Sequence, residues 1–453
     1  MRGLLSGICL AIGLGSAQAE TLTLDLPQAV ERALNRDQRI VEKEQLVEAA
    51  RGLLSEARGA TGLIFDVNAF FGLAPTVRSG FFETTDEAGN KKPVVVPKDF
   101  FNTDSVSPWY FAEFSLIKPL YTFGKVKHYS KAAASNVQIK EGDVRLQRGQ
   151  ILLDVTRAYN GFLAARDTRY MLEDTQRKLE SALTLVQGWL DSGEGTAKQS
   201  DLFALQTGVA MVQRYHAEAA SYEAIAMAGL RMLTGVALED ELQLADKRLT
   251  PVPMPEDSLP ALQSQALVQR PEVRQLAAGL DARREWMLAK KSEAKPNIYT
   301  GIVGGISFAP RRETTDISTY DPFNSTGATP VIGIKWDWAS GRQPAQVAQA
   351  RAELESTLAL KSFAQQGIPF QVAEQYHTVH AQHEMVEKLY EASRSGRRWM
   401  IATYADFEAG VEQSDKVITA FLGYLQAYGD YLKTVNDYNL HVAQLRVVTG
   451  EIQ

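Results

Sequence analysis

Three histidines at helical spacing, His377, His380 and His383, come nearest in this chain to a metal-binding pattern. Steps of three residues at 100° each place them within an arc of about 120° on one helix face, which could gather imidazoles around a transition metal. The same spacing fits a mixed helix face in which His383 interrupts an apolar stripe, as Arg169 does in an equivalent stripe earlier in the chain. The structural reading is adopted, and neither a metal nor a cofactor is expected. His128, His216 and His441 are scattered. The one cysteine, Cys9, falls in a segment expected to be removed, which leaves no thiol for a disulfide, a zinc site or a nucleophile. No serine in a nucleophile context, no phosphate loop and no HExxH occurs, and Gly301, Gly304 and Gly305 read as close packing within a strand. The chain is not expected to be an enzyme.

Acidic residues cluster where two helical stretches break. Asp191, Glu194 and Asp201 stand against Lys198, a local charge of −2, and Asp406, Glu408, Glu412 and Asp415 against Lys416, a local charge of −3. Such clusters can line an aperture that prefers cations. Over the whole chain, 48 basic against 54 acidic side chains give a formal net charge of −6, so no basic field invites nucleic acid.

The elements that would carry these residues follow from periodicity. Residues 1–19 read as a secretory signal, with Arg2, an apolar stretch from Leu4 to Leu14 and the Ala17-Gln18-Ala19 cleavage site. Beyond them no run approaches the ~18 apolar residues of a spanning helix, so any crossing of a membrane must use β-strands. Four segments, about 61–74, 107–120, 297–309 and 328–338, alternate with period 2 and form two pairs, joined by Pro75 to Ser107 and by Pro310 to Thr329. Trp109, Tyr110, Trp336 and Trp338 at strand ends fit a membrane interface, although alternation alone equally fits half-buried strands of a soluble sheet.

Between Pro119 and Pro251 lie 131 residues without proline. Stepping by four and three from Ile151 through Val155, Ala158 and Phe162 to Leu190 gives twelve positions of which ten are apolar, a sustained a/d seam expected to serve the contacts between copies. A helix from Val126 to Leu190 would be roughly 98 Å long. After the turn at 191–196 a second seam follows through Leu202, Leu205 and Val209, so the pair is a helical hairpin. The plan recurs: Gln199-Ser200-Asp201 returns as Gln413-Ser414-Asp415, and Leu230-Arg231-Met232-Leu233-Thr234-Gly235 as Leu445-Arg446-Val447-Val448-Thr449-Gly450. The first repeat occupies 20–235, with its hairpin at about 126–235; a proline-rich linker occupies 236–260; the second repeat occupies 261–450, with its hairpin at about 342–450 and a bend expected at Pro369. Four strands cannot close a barrel, and open edges in lipid leave backbone groups unpaired, so the chain is expected to oligomerise, three copies supplying twelve strands.

The duplicated strand–loop–strand–helix–turn–helix unit, the Pro-Leu-Tyr-Thr-Phe-Gly-Lys strand exit at 119–125 and the repeated LRxxTG ends together resemble the TolC family of outer-membrane channel-tunnel proteins. The resemblance implies mixed α and membrane β structure: two repeats, each a β-hairpin with long antiparallel coiled-coil helices, in a homotrimer whose twelve-stranded β-barrel continues as an α-helical tunnel. It further implies a passive duct in the outer membrane of a Gram-negative bacterium with a periplasmic extension. The partners it implies are outer-membrane lipid, a periplasmic adaptor (membrane fusion) protein and an inner-membrane transporter, in an efflux or type I secretion system exporting small molecules or proteins. In that family the periplasmic end closes like an iris near the two helical turns. Gly195 and Asp201 keep the family spacing, whereas Gly410 to Asp415 is one residue shorter, Phe407 replaces an expected tyrosine, Glu412 an expected arginine and Ile418 an expected carboxylate. The aperture or gate candidates are therefore Asp415, Asp201, Glu412 and Phe407; Asp415 also fits an ordinary first-turn acid. A periplasmic helical structural or adaptor protein with a soluble β domain is the alternative. For the histidines, His377→Ala combined with His380→Ala is expected to leave export and assembly unchanged; stoichiometric zinc or copper that co-purifies with the protein and disappears from this variant would reverse that reading.

Overall fold

The computed structural model describes residues 21–75, 81–85, 87–95, 106–193, 197–237, 239–311, 321–337 and 339–451. The expected signal segment with Cys9, and Glu194, Gly195 and Trp338, lie outside the described residues. The first repeat contains β1 (Thr21–Leu24), α1 (Leu26–Arg36), α2 (Gln38–Gly59), β2 (Ile64–Pro75), β3 (Phe81–Thr85), β4 (Lys91–Val95), β5 (Val106–Tyr121), α3 (Lys125–Ser192) and α4 (Gln199–Thr234). There follow β6 (Glu241–Leu244), α5 (Leu259–Gln269), α6 (Pro271–Glu293), β7 (Asn297–Phe308), β8 (Ser325–Lys335), α7 (Arg342–Glu408) and α8 (Ser414–Thr449). The chain divides into two units, one of Met1–Leu46, Lys140–Gln275 and Ser362–Gln453, the other of Val47–Ile139 and Leu276–Lys361.

The second unit holds a four-stranded antiparallel sheet in the order β2-β5-β7-β8. The two strand pairs expected from sequence are thus joined, β5 pairing with β7. The register puts the apolar sets of all four strands on one face. Phe65 lies opposite Leu116, Leu116 opposite Ile302 and Ile302 opposite Pro330; one row on, Val67, Phe114, Gly304 and Ala328 stand abreast. Gly304 belongs there because a Cβ would come within 2.6 Å of the Phe114 ring. The opposite face carries Asp66, Asn68, Glu113 and Ser115, as period 2 requires. Phe65, Phe71, Ile332 and Ile334 are exposed on the apolar face, and among the described residues the edge strands β2 and β8 pair on one side only. Part of the expected connection between Pro75 and Ser107 is itself a hairpin of β3 and β4, and β8 begins at Ser325, inside the second expected connection.

The strand exit at 119–125 is a left-handed turn. Phe123 and Gly124 have φ of 49° and 89°, Lys125 donates its backbone N–H to the Thr122 carbonyl at 3.0 Å, and the Tyr121 and Phe123 rings meet edge to face at 4.7 Å. Two consecutive residues at positive φ reverse the chain from strand to helix within one turn, which explains the glycine.

In the first unit the seam is consumed inside the chain. Ile151, Val155, Phe162, Leu172, Leu179 and Val186 are buried in two cores shared with the other long helices. The expectation that this seam joins copies is therefore corrected for these residues, which are buried within their own chain. Its polar break is satisfied locally, since Arg169 pairs with Glu223 of α4 at 2.6 Å and Glu173 at 2.5 Å. Burial would raise the Glu173 carboxyl, but hydrogen bonds from His216 and Arg169 outweigh it and hold the group below its ordinary range. His383 packs on Tyr438 at 5.5 Å, with Nε2 3.6 Å from Glu387, and His377 and His380 lie against the Tyr376 ring.

The repeated LRxxTG ends are helix caps. Gly235 and Gly450 adopt φ of 62° and 90°; Val236 and Glu451 donate back to the Arg231 and Arg446 carbonyls; Thr234 and Thr449, both buried, bond to Leu230 and Leu445. This is the Schellman arrangement, in which glycine takes the left-handed residue and the next N–H reaches back five positions.

Residues 236–260, expected as a linker, form a strap. β6 pairs in parallel with β1, Asp246 accepts from Tyr159 at 2.6 Å, and the Leu249 N–H donates to Asp167 at 2.9 Å. On α8, Asn439 accepts from the Val252 N–H and donates to the Thr250 carbonyl, both at 2.9 Å. α7 continues through Pro369, whose carbonyl accepts from Gln263 at 3.0 Å. Because Asn439 is buried and satisfies two backbone groups of the strap, Asn439→Ala is expected to destabilise the protein by about 2 kcal/mol. Thermal unfolding in detergent should show a lowered midpoint; an unchanged midpoint would mean the strap does not depend on this residue.

Candidate functional site: the two helical turns

α3 and α4 meet at residues 193–198, and α7 and α8 at 409–413. The second turn is a full Schellman cap: Gly410 has φ of 74°, its N–H bonds to the Phe407 carbonyl at 2.9 Å, and the Val411 N–H bonds to the Asp406 carbonyl at 2.9 Å. Gly193 likewise has φ of 69°. Both glycines are there because the helix must stop abruptly for its partner to fold back.

Beneath the turns lies a core built from all four helices, including Val186, Leu202, Phe407 and Val417. Phe407 is only 2% exposed and meets Trp189 at 5.4 Å. The structure thus places this gate candidate among core residues, where it supports the turn from below. Tyr404 packs against Phe421, and burial together with a bond to Glu408 raises its hydroxyl above the usual tyrosine range.

Asp201 is committed twice. One carboxylate oxygen accepts the Lys198 backbone N–H at 2.8 Å, capping α4, and the other accepts the Ser414 hydroxyl at 2.7 Å, tying the start of α4 to the start of α8. Ser414 is buried, so this bond is shielded from water. The sequence reading named Asp201 but missed Ser414, because QSD occurs in both turns and only the packing of α4 beside α8 shows that the serine of one meets the aspartate of the other. Asp415, the counterpart of Asp201, sits one position nearer its helix start, since α8 begins at Ser414 whereas α4 begins at Gln199. It does not reach back to cap. Asp415 and Glu412 are exposed, and among the described residues their carboxylates have neither a hydrogen-bond nor an ion-pair partner. With Asp191, Asp406 and Glu408, also exposed, they form an acidic surface at the turns. No group of three or more side chains suited to hold a metal occurs among the described residues.

Residues 29–236 match the family model described as outer membrane efflux protein. Over these residues the chain is similar to the outer membrane efflux proteins. The chain is 23% identical over 355 residues to the alkaline protease secretion protein AprF of Pseudomonas aeruginosa, covering 77% of this chain and 71% of that one. The fold matches the Campylobacter jejuni CmeC outer membrane channel with a TM-score of 0.75 at 13% identity, over 94% of this chain and 85% of that one. It matches the outer membrane protein VceC of Vibrio cholerae with a TM-score of 0.70 at 13% identity, over 94% and 96% of the two chains. These similarities favour the reading as an outer-membrane transport component over that as a periplasmic adaptor. No helix among the described residues is long and apolar enough to cross a membrane.

Unpartnered carboxylates act over about 8 Å at physiological salt. In planar bilayers the pore is expected to favour cations, and Asp415→Asn should reduce that preference more than Asp191→Asn, whose carboxylate already accepts from Gln187 at 3.1 Å. Equal and negligible effects of the two changes would remove Asp415 from the aperture.

Proposed function

We propose that three copies of this chain assemble as a homotrimer in which twelve strands close a β-barrel and the helical hairpins continue it as a periplasmic tunnel. The observation that carries this reading is the four-stranded sheet with one continuous apolar face and two edge strands that, among the described residues, pair on one side only. In hydrocarbon each unpaired backbone group costs several kcal/mol, which favours closure by further copies. Two copies would supply eight strands, whose interior is filled by side chains; three leave a conduit.

The assembled protein is a passive duct. It couples to a periplasmic adaptor and an inner-membrane transporter, which supplies the energy and chooses the cargo, small molecules or proteins; the relative AprF bears the name of a protein-secretion component. The turns form the periplasmic aperture, with Asp415 and Glu412 as the exposed carboxylates, Asp201 as the carboxylate that ties α4 to α8, and Phe407 as the core residue that holds the α7 end in place.

A mass measurement of the detergent-solubilised protein should give a trimer, and a folded monomer would overturn the proposal. The facing of the sheet has its own test. Val67→Arg, on the apolar face, is expected to cost about 2–4 kcal/mol near the bilayer midplane and to lower folding yield into liposomes. Asn68→Arg, one residue on and facing the other way, should be tolerated; the reverse order would invert the assignment of the faces.

A further inference from the structure

The face of the sheet opposite the apolar one is polar in its middle rows, where Asp66 lies opposite Ser115 and Asn68 opposite Glu113. Towards the end of the sheet away from the helices it becomes aromatic. Phe70 of β2 and Phe111 of β5 stand opposite each other and stack at 4.6 Å, the Trp109 ring meets Phe70 edge-on at 4.9 Å, and Phe323, just before β8, meets Trp109 at 5.1 Å. Anchoring in lipid does not require these rings, because the apolar face has its own aromatics at that end in Phe71, Tyr110 and Phe308. The cluster is also held in place. The Trp109 indole N–H donates to the Ser307 hydroxyl at 2.7 Å, that buried hydroxyl donates to the Pro322 carbonyl at 2.7 Å, and the indole lies across Gly72, where a Cβ would come within 3.2 Å of it. Phe70 is nonetheless 49% exposed, so ordered aromatic surface faces water.

Among the described residues the strands carry only acidic charge on this face beside the cluster. Glu113 follows Phe111 by two residues on the same strand, about 7 Å away, with Asp66 one row further. Lys335, on the same face of β8, is paired with Asn297 at the far end of the sheet. Arg311 follows β7, and its backbone N–H is taken by the Ser107 hydroxyl. Aromatic faces beside a carboxylate suit one chemical class, since the ring quadrupole and the carboxylate both attract positive charge while the rings bury apolar surface.

We propose that Phe70, Trp109, Phe111 and Phe323, together with Glu113, form a binding site for small lipophilic organic cations on the duct-lining face of the sheet. The proposal rests on the duct reading for the facing of the site. It makes the exit of the duct a surface that retains such cations briefly as they leave.

The test uses two probes of one shape and opposite charge, tetraphenylphosphonium and tetraphenylborate, with the purified full-length protein in detergent. Equilibrium dialysis should show saturable binding of the cation and at least about tenfold weaker binding of the anion. Phe70→Ala with Phe111→Ala should weaken cation binding by about tenfold or more, Glu113→Gln should abolish most of the discrimination between the probes, and Phe111→Leu, which keeps the apolar bulk, should fall between. Binding that is absent, equal for both probes, or unchanged in the double variant of unaltered oligomeric mass overturns the site. In planar bilayers the cation added from the loop side should block wild-type current, and the double variant should relieve the block. Current without block also overturns the site and leaves the duct standing. Wild-type protein that passes no current overturns the duct instead, and dialysis still decides the site.

Discussion

A peptide group taken out of water must have a partner, and this requirement shapes the sheet. Lipid offers neither donor nor acceptor, so a sheet can face it only when every N–H and C=O is taken by another strand. The four strands meet the requirement internally, β5 and β7 being paired on both sides, and leave it open at β2 and β8. Side chains then follow from the pleat: because of the register between β2, β5, β7 and β8, Phe65, Leu116 and Ile302 come to one face, and a slip of one residue would bring Asp66 or Glu113 onto it.

The duplication copies a plan and not a set of roles. Arg231 and Arg446, Thr234 and Thr449, Gly235 and Gly450 do the same work at two helix ends, because a helix can terminate against a packed neighbour in few ways. At the turns the copies diverge. Asp201 caps its helix and holds Ser414, while Asp415, shifted by one position, is left at the surface. A one-residue difference in loop length is enough, since the third helical residue can reach back to the cap and the second cannot.

What could be read in advance follows from how local each feature is. Period 2 in 63–73 and a 4-3 step from Ile151 are properties of adjacent residues, and they located β2 and α3. The pairing of β5 with β7 joins residues almost 200 positions apart, and alternation names no partner. Burial of the seam inside the chain was equally hidden, because an a/d stripe looks the same whether it meets its own chain or another. The start of α1 was legible and was overlooked: Asp25 and Gln28 exchange the two bonds of a capping box, with Pro27 in the first turn. At the turns the acidity was visible; the bond from Ser414 to Asp201 was not, since it depends on α4 lying beside α8.

The strap has a mechanical meaning. By binding Asp167 of α3 through Leu249 and Asn439 of α8 through Val252, it fixes both repeats at one level and makes that level a fulcrum. From Asp167 to Ser192 the helix rises about 38 Å, and a tilt of only about 5° at the clamp would carry the turn sideways by about 3 Å. Repacking on the scale of one side chain near the strap would therefore be magnified at the turns into a displacement comparable to the width of a water molecule.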